Sequence, residues 1–226
     1  MSRLGQAMGT QRARKRSDFY PTIDPRAIPP LLAAMAAVGD KKPRNDPEAY
    51  DPAGWPFYDP LTYAEPCAGV ADLIHQLDGA GLHCAFGLEL DPQDEGLRNR
   101  WPIARGNALS LTREDCRGVD LFITNPPWDR KLLHQLIRHL ASLRPTWLLF
   151  DASWAFTKQA APFQRLLTDV AAVGRLKWFE GSRYDPPDDC AWYRFCEAEA
   201  SEARHRFHLP VKAERQPSPQ AELALA

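Results

Sequence analysis

The residues best suited by type and spacing to do chemistry are Asn125-Pro126-Pro127-Trp128. They close the apolar run Val119-Asp120-Leu121-Phe122-Ile123-Thr124, which reads as a short strand, and no strand or helix interior continues through Asn-Pro-Pro. Asn125 is therefore expected where a buried strand leaves its sheet, and open α/β sheets bind ligands at the carboxyl ends of their strands. The Asn125 side-chain oxygen and the Pro126 carbonyl are two neutral acceptors, each able to take one hydrogen from a planar amine. Holding both hydrogens orients the amine and favours a more tetrahedral nitrogen, freeing a lone pair otherwise delocalised into a ring. Neither proline brings an N–H to compete, and their fixed φ stiffens the cradle before a guest arrives. Trp128 offers a flat face for stacking. The competing reading is an ordinary strand-terminating turn.

Such a cradle needs elements to position it. Leu61-Thr62-Tyr63-Ala64-Glu65 reads as a strand that runs into the small-residue turn Pro66-Cys67-Ala68-Gly69-Val70-Ala71, and a helix follows over 72–78. Small residues let backbone approach a ligand closely, and a helix start offers unpaired N–H groups. A second strand, 83–92, ends in the acids Glu89 and Asp91. An acid about twenty residues beyond a glycine turn is placed to bond both hydroxyls of a ribose. Asp91, two positions on, shares that face of an extended chain or caps the next helix. Trp101 to Leu109 reads as a third strand and turn carrying Asn107, whose carbonyl oxygen can accept from an amine.

Asn125-Pro126-Pro127-Trp128 resembles the amine-binding signature (Asn, Asp or Ser, then Pro-Pro and an aromatic) of S-adenosylmethionine-dependent amino-methyltransferases, chiefly the DNA adenine-N6 enzymes. Glu65, Pro66 and Gly69 match that family's first motif, an acid and Pro followed by Gly-x-Gly, with Ala71 where the last glycine is usual; an alanine fits there at negative φ. The Gly106-Asn107-Ala108-Leu109 turn is similar to the family's Gly-Asp-Ala-Leu element, and Tyr20-Pro21-Thr22 to the leader of small, phage-type DNA enzymes. The resemblance covers about residues 18–196. It implies a three-layer α/β sandwich around a seven-stranded, mostly parallel, doubly wound sheet that ends in an antiparallel hairpin. It also implies S-adenosylmethionine held by Phe19, Thr22, Glu65, Pro66, Ala68, Gly69, Glu89, Asp91, Asn107, Ala108 and Asn125. Asn125, Pro126, Pro127 and Trp128 would carry catalysis on a base turned out of DNA. RNA adenine, cytosine N4 and a protein glutamine amide present the same –NH2, and a catalytically idle nucleic-acid-binding relative also stays open.

The rest of the chain fits one domain, 18–200, with a Pro-rich loop insertion over 40–60, a basic arm over 1–17 and a tail over 201–226. Helices are expected at 25–38, 129–142 and 162–173, a fifth strand at 145–151, and a closing hairpin from 174–180 and 190–196. In that hairpin Trp192 either faces an extruded base or is a core tryptophan. Arg130 and Lys131 oppose the dipole of their helix, so they are either phosphate contacts or a solvated face. His134 and His139 read as surface histidines. Net charge is −1, so a nucleic-acid partner must be met by local patches. Five cysteines form no C-x-x-C pair and read as reduced thiols rather than a metal site. No apolar run approaches the roughly 20 residues of a membrane span. A cytoplasmic monomer without metal is the expectation.

Overall fold

The computed structural model describes residues 21–40, 61–92, 101, 103–178, 188–200 and 205–208. The basic arm, Phe19, positions 41–60 of the loop insertion and most of the tail lie outside them. The described strands are β1 (Thr62–Glu65), β2 (His83–Glu89), β3 (Ile103–Arg105), β4 (Leu121–Thr124), β5 (Thr146–Asp151), β6 (Leu167–Gly174), β7 (Cys190–Phe195) and β8 (Arg206–His208). They form one sheet in the order β3-β2-β1-β4-β5-β7-β6-β8. Neighbours from β3 to β5 pair in parallel, β7 runs against β5 and β6, and β8 pairs in parallel with β6. This is the mostly parallel, doubly wound α/β sheet with a closing antiparallel hairpin expected for a class I methyltransferase, with one strand more than the seven anticipated.

Side-chain alternation builds a core on each face. Leu121, Ile123, Trp147 and Leu149 face one layer with helices α1 (Ile28–Val38) and α2 (Asp72–Gly79). Phe122, Leu148 and Phe150 face the other, which holds α3 (Arg130–Leu143) and the 3-10 turns Ala152–Phe156 and Lys158–Phe163. The result is the three-layer sandwich. α1 opens on Pro29 and Pro30, which a first helical turn tolerates, and stops at Gly39 in the left-handed region (φ 79°). α3 buries Leu133, Leu136, Ile137 and Leu140, each contributing about 1.5–3 kcal/mol of burial. Its N-cap is Asp129, whose carboxylate accepts the Leu132 N–H at 3.0 Å, offsetting the unfavourable Arg130 and Lys131 at the same end. No described helix is long and apolar enough to cross a membrane.

Two expected elements differ. Residues 162–173 are not a helix: the Lys158–Phe163 turn contains Pro162 and gives way to strand β6. β6 is buried on both faces from Leu167 to Ala171, but two of those buried residues are Thr168 and Asp169, so the apolar residues of the segment (Leu166, Leu167, Val170, Ala171, Val173) fall at helical spacing. The hairpin therefore uses β6 instead of 174–180, and Arg175 to Trp178 is irregular. Within the expected tail, Arg206–His208 joins the sheet. Asp169, fully buried on β6, accepts from Arg206 Nε at 2.7 Å and lies 3.0 Å from His208 Nε2, which ties that segment down.

Ala71 has φ 71°, the one positive value among described non-glycine residues. The negative φ under which alanine would fit is not what the chain adopts, because the turn from β1 into α2 demands a left-handed residue. Left-handed backbone costs a Cβ-bearing residue about 1–2 kcal/mol, part of which glycine returns as unfolded-state entropy. Ala71→Gly should thus stabilise the protein by about 1 kcal/mol, raising Tm by about 2–4 °C in thermal unfolding; an unchanged or lower Tm would contradict the strain.

Candidate active site

The strand order reverses between β1 and β4, neighbours through Tyr63–Leu121 and Ala64–Phe122. Crossovers from such a pair leave to opposite faces, which opens a crevice beyond their carboxyl ends. The turn after β1 carries Gly69 and the residue after β4 is Asn125, so both come to one crevice.

On the β1 side Gly69 is left-handed (φ 54°) and its N–H donates to Glu89 Oε2 at 2.8 Å. Glu89 Oε1 accepts the Asp91 N–H at 3.0 Å. The Glu89 carboxylate is thereby fixed across the ends of β1 and β2, with lone pairs to spare for two hydroxyls. Asp91, half-exposed, lies 3.8 Å from Arg105. Gly87 lets this turn pack down, since a Cβ there would come within 3.1 Å of Ala68, Ile74 and Ile103 side chains. Asn107 is exposed beyond β3 and caps its own turn, Oδ1 accepting the Leu109 N–H at 3.0 Å. One lone pair of that oxygen remains for a ligand. Ala68, Ala108 and Pro66 are buried beneath.

Glu65 is 2% exposed. The backbone of Ile74, at the third position of α2, is the one group near it that favours its charged form. Ala71 offers no capping side chain to that helix. Burial first, then the neighbouring Glu89 and Asp72, hold the Glu65 carboxyl well above the usual range, and Oε2 has no hydrogen-bond partner in the structure. A buried acidic oxygen left over beside the glycine turn fits a site that takes a cationic or hydrogen-bonding guest.

On the β4 side Asn125 is neither buried nor loose. Its Nδ2 donates to Thr22 Oγ1 at 3.0 Å and its Oδ1 accepts from Trp128 Nε1 at 3.1 Å. The indole N–H is only a donor, so the atom facing it is the oxygen. Thr22, buried, is itself tied to α2 because its carbonyl accepts from Gln76 Nε2. Trp128 is half-buried and stands edge-on to Trp178, with ring centroids 5.5 Å apart. Pro126 is buried and Pro127 half-buried. The tryptophan expected only as a stacking face is thus also the group that orients the amide, and Trp178, which no local sequence signal picks out, braces it.

Trp192 does not reach the crevice. It is fully buried, pairs with Leu149 and Ala171 across the sheet, and donates its indole N–H to the Ala27 carbonyl at 2.8 Å. β7 lies between β5 and β6 with both faces covered, and its alternation turns Trp192 toward α1; it is a core tryptophan. His134 is not a surface histidine either: its Nε2 accepts from Trp154 Nε1 at 3.2 Å and its ring lies 4.6 Å from Phe163. Burial, then Arg138 and Arg130, hold it below the ordinary histidine range, in keeping with a neutral acceptor. Arg130 and Lys131 are exposed at the start of α3, beside the crevice.

No family model matches the chain, and no curated protein matches it. Among solved structures it is similar to a protein described as an RNA methyltransferase from Pyrococcus horikoshii (13% identity, 74% of this chain and 80% of that one, TM-score 0.48). It is likewise similar to one described as a class I S-adenosylmethionine-dependent methyltransferase from Listeria monocytogenes (12% identity, 88% and 69%, TM-score 0.48). A third is the M protein of the type I restriction enzyme EcoKI (16% identity, 90% of this chain, TM-score 0.46), of which the chain spans about half, 52%.

Glu65 generates a pH prediction. Its folded carboxyl keeps a proton to higher pH than the unfolded side chain, whose ordinary value is 4.5. The folded chain then binds more protons in that window, so this group's contribution to stability falls as pH rises. Glu65→Gln keeps the shape and a carbonyl oxygen without the titration. Urea unfolding from about pH 5 to about pH 8 should show a flatter stability profile for the variant; parallel profiles would contradict a protonated Glu65.

Proposed function

We propose that this chain is an S-adenosylmethionine-dependent methyltransferase acting on an exocyclic amine, adenine N6 in DNA. The observation that carries the reading is Asn125, held by Thr22 and Trp128 at the point where the strand order reverses, next to the Gly69–Glu89 turn.

The residues present fit the cofactor. Glu89 would take the ribose hydroxyls, Asn107 the adenine amine, with Ala68 and Ala108 against the ring, and the Gly69 turn with Glu65 and Thr22 the methionine end. S-adenosylmethionine supplies a methyl group on an electron-poor sulfur, and the carbon–sulfur bonding pair stays on that sulfur when the methyl leaves. Everything else is positioning. Asn125 Oδ1 and the Pro126 carbonyl accept the two amine hydrogens, and the freed nitrogen lone pair forms the new nitrogen–carbon bond. Oδ1 accepts twice, so the Trp128 N–H and the amine share it. Neither acceptor is basic enough to keep the extra proton, which passes to water. A base inside a duplex cannot reach Asn125 and has to be turned out of the stack first; the Trp128 face then receives it. The leader Tyr20-Pro21-Thr22 and the aromatic ending of Asn-Pro-Pro-Trp support adenine in DNA over the other planar amines.

Asn125→Ala is expected to abolish transfer of labelled methyl to DNA while calorimetry still detects cofactor binding, weakened by no more than the loss of one contact, about fivefold. Retained turnover would overturn the assignment of Asn125. Trp128→Phe keeps a stacking face and drops the N–H that orients the amide. A neutral hydrogen bond is worth about 1 kcal/mol, so kcat should fall about five- to tenfold with little change in cofactor affinity; an unaltered kcat would leave Trp128 with no orienting role.

A further inference from the structure

Phe156 is 83% exposed, the most exposed large apolar side chain among the described residues. It is not on a loose segment. Two positions earlier Trp154 is buried against Phe150, Tyr193 and Phe195, with its indole N–H on His134 of α3. One position later Thr157 donates from both its N–H and its hydroxyl to the Trp154 carbonyl, at 3.0 and 2.8 Å. Asp151 fixes the start of the same turn through Ser153 N and Oγ, at 2.8 and 2.9 Å. A turn pinned in this way that holds phenylalanine in water forgoes about 2 kcal/mol of burial, and among the described residues no ring contact uses it.

The surroundings say what would use it. α3 and the two 3-10 turns present Arg130, Lys131, Arg138 and Lys158, all exposed, and Arg138 is spread over the Phe163 ring at 4.4 Å. From Asp129 to Arg165 the only acids are Asp129 and Asp151, and both are engaged as caps. In a chain of net charge −1 this face is locally strongly positive. It borders the crevice: α3 starts five residues after Asn125, and the Ala152–Phe156 turn follows β5, the neighbour of β4. A positive stripe with one rigid apolar side chain standing out of it complements a polyanion with a stacked apolar interior.

We infer that the face formed by α3 and the Ala152–Phe163 turns docks duplex DNA, its cations on the phosphates, with Phe156 entering the base stack where the target base has left it. The inference rests on the proposed function and adds to it the docking face and the residue that fills the vacated position. Apolar wedges between base steps are a known way of offsetting lost stacking. Phe156 is a positioning residue; it touches neither the amine nor the methyl group.

The test needs no knowledge of the target sequence and no methyl transfer. Fluorescence anisotropy would compare an intact labelled DNA duplex with the same duplex carrying one abasic site, a ready-made hole in the stack. The wild-type protein should bind the abasic duplex about tenfold more tightly, and Phe156→Ala should bind both alike. Lys131→Glu with Lys158→Glu should weaken binding to both duplexes at least tenfold and lower the slope of log affinity against log salt by about 2. Arg117→Glu, which alters a cation at the opposite end of the sheet ahead of β4, should leave binding unchanged. A wild-type protein indifferent to the abasic site, or a preference that survives Phe156→Ala, would overturn the wedge. Binding insensitive to the two charge reversals would overturn the face, and tighter binding to an RNA duplex of the same sequence would overturn DNA as its occupant. Loss of the methyltransferase reading looks different: duplex binding persists and responds to these variants, while no labelled methyl reaches any nucleic acid.

Discussion

The site depends on two hydrogen bonds to one side chain. Asn125 stands at the end of β4 with its nitrogen on Thr22 and its oxygen under the Trp128 indole, so the amide plane is set before any guest arrives. Three separate parts of the chain meet there: the segment ahead of α1, the end of β4 and the start of α3. Gln76 of α2 adds a fourth by holding Thr22. An amide that rotated freely would present oxygen and NH2 in turn, and half of its orientations would repel the amine it is meant to hold. Preorganisation of this kind is what a reaction driven by positioning requires.

The other half of the crevice is built with strain and charge. A left-handed turn must follow β1 so that backbone can approach a ligand, and the chain fills its last position with alanine. That choice leaves α2 without a capping side chain, and Glu65 lies beneath its start inside the sheet. The Glu65 carboxyl sits buried near Glu89 and Asp72 and resists ionising. Local strain and a costly buried acid gathered around one turn are characteristic of places where structure serves a ligand before stability.

The crevice was legible in the sequence where backbone chemistry left few options. Asn-Pro-Pro must end a strand, a small-residue turn after an apolar run must be tight, and an acid twenty positions beyond it falls at the end of the next strand; Glu89 does meet the Gly69 N–H. The legible residues act through local geometry. The illegible ones depend on partners distant in sequence. Trp192 reads equally as a rim or a core residue until β7 is known to lie inside the sheet, and Trp178 matters only because it stands against Trp128. His134 reads as solvated on its helix because the ring that covers it, Trp154, comes after β5. The 162–173 segment is illegible for a different reason, since the buried Thr168 and Asp169 leave its apolar residues at helical spacing.

The proposed reaction turns on a nitrogen that would receive a methyl group while Asn125 and Pro126 hold its hydrogens. The direct measurement is mass spectrometry of nucleosides, from DNA and RNA incubated separately with the protein and with S-adenosylmethionine bearing a deuterated methyl group. The account predicts a deuterated methyl on adenine N6 from DNA. Label on a ring carbon, or no labelled nucleoside from either polymer, would contradict it.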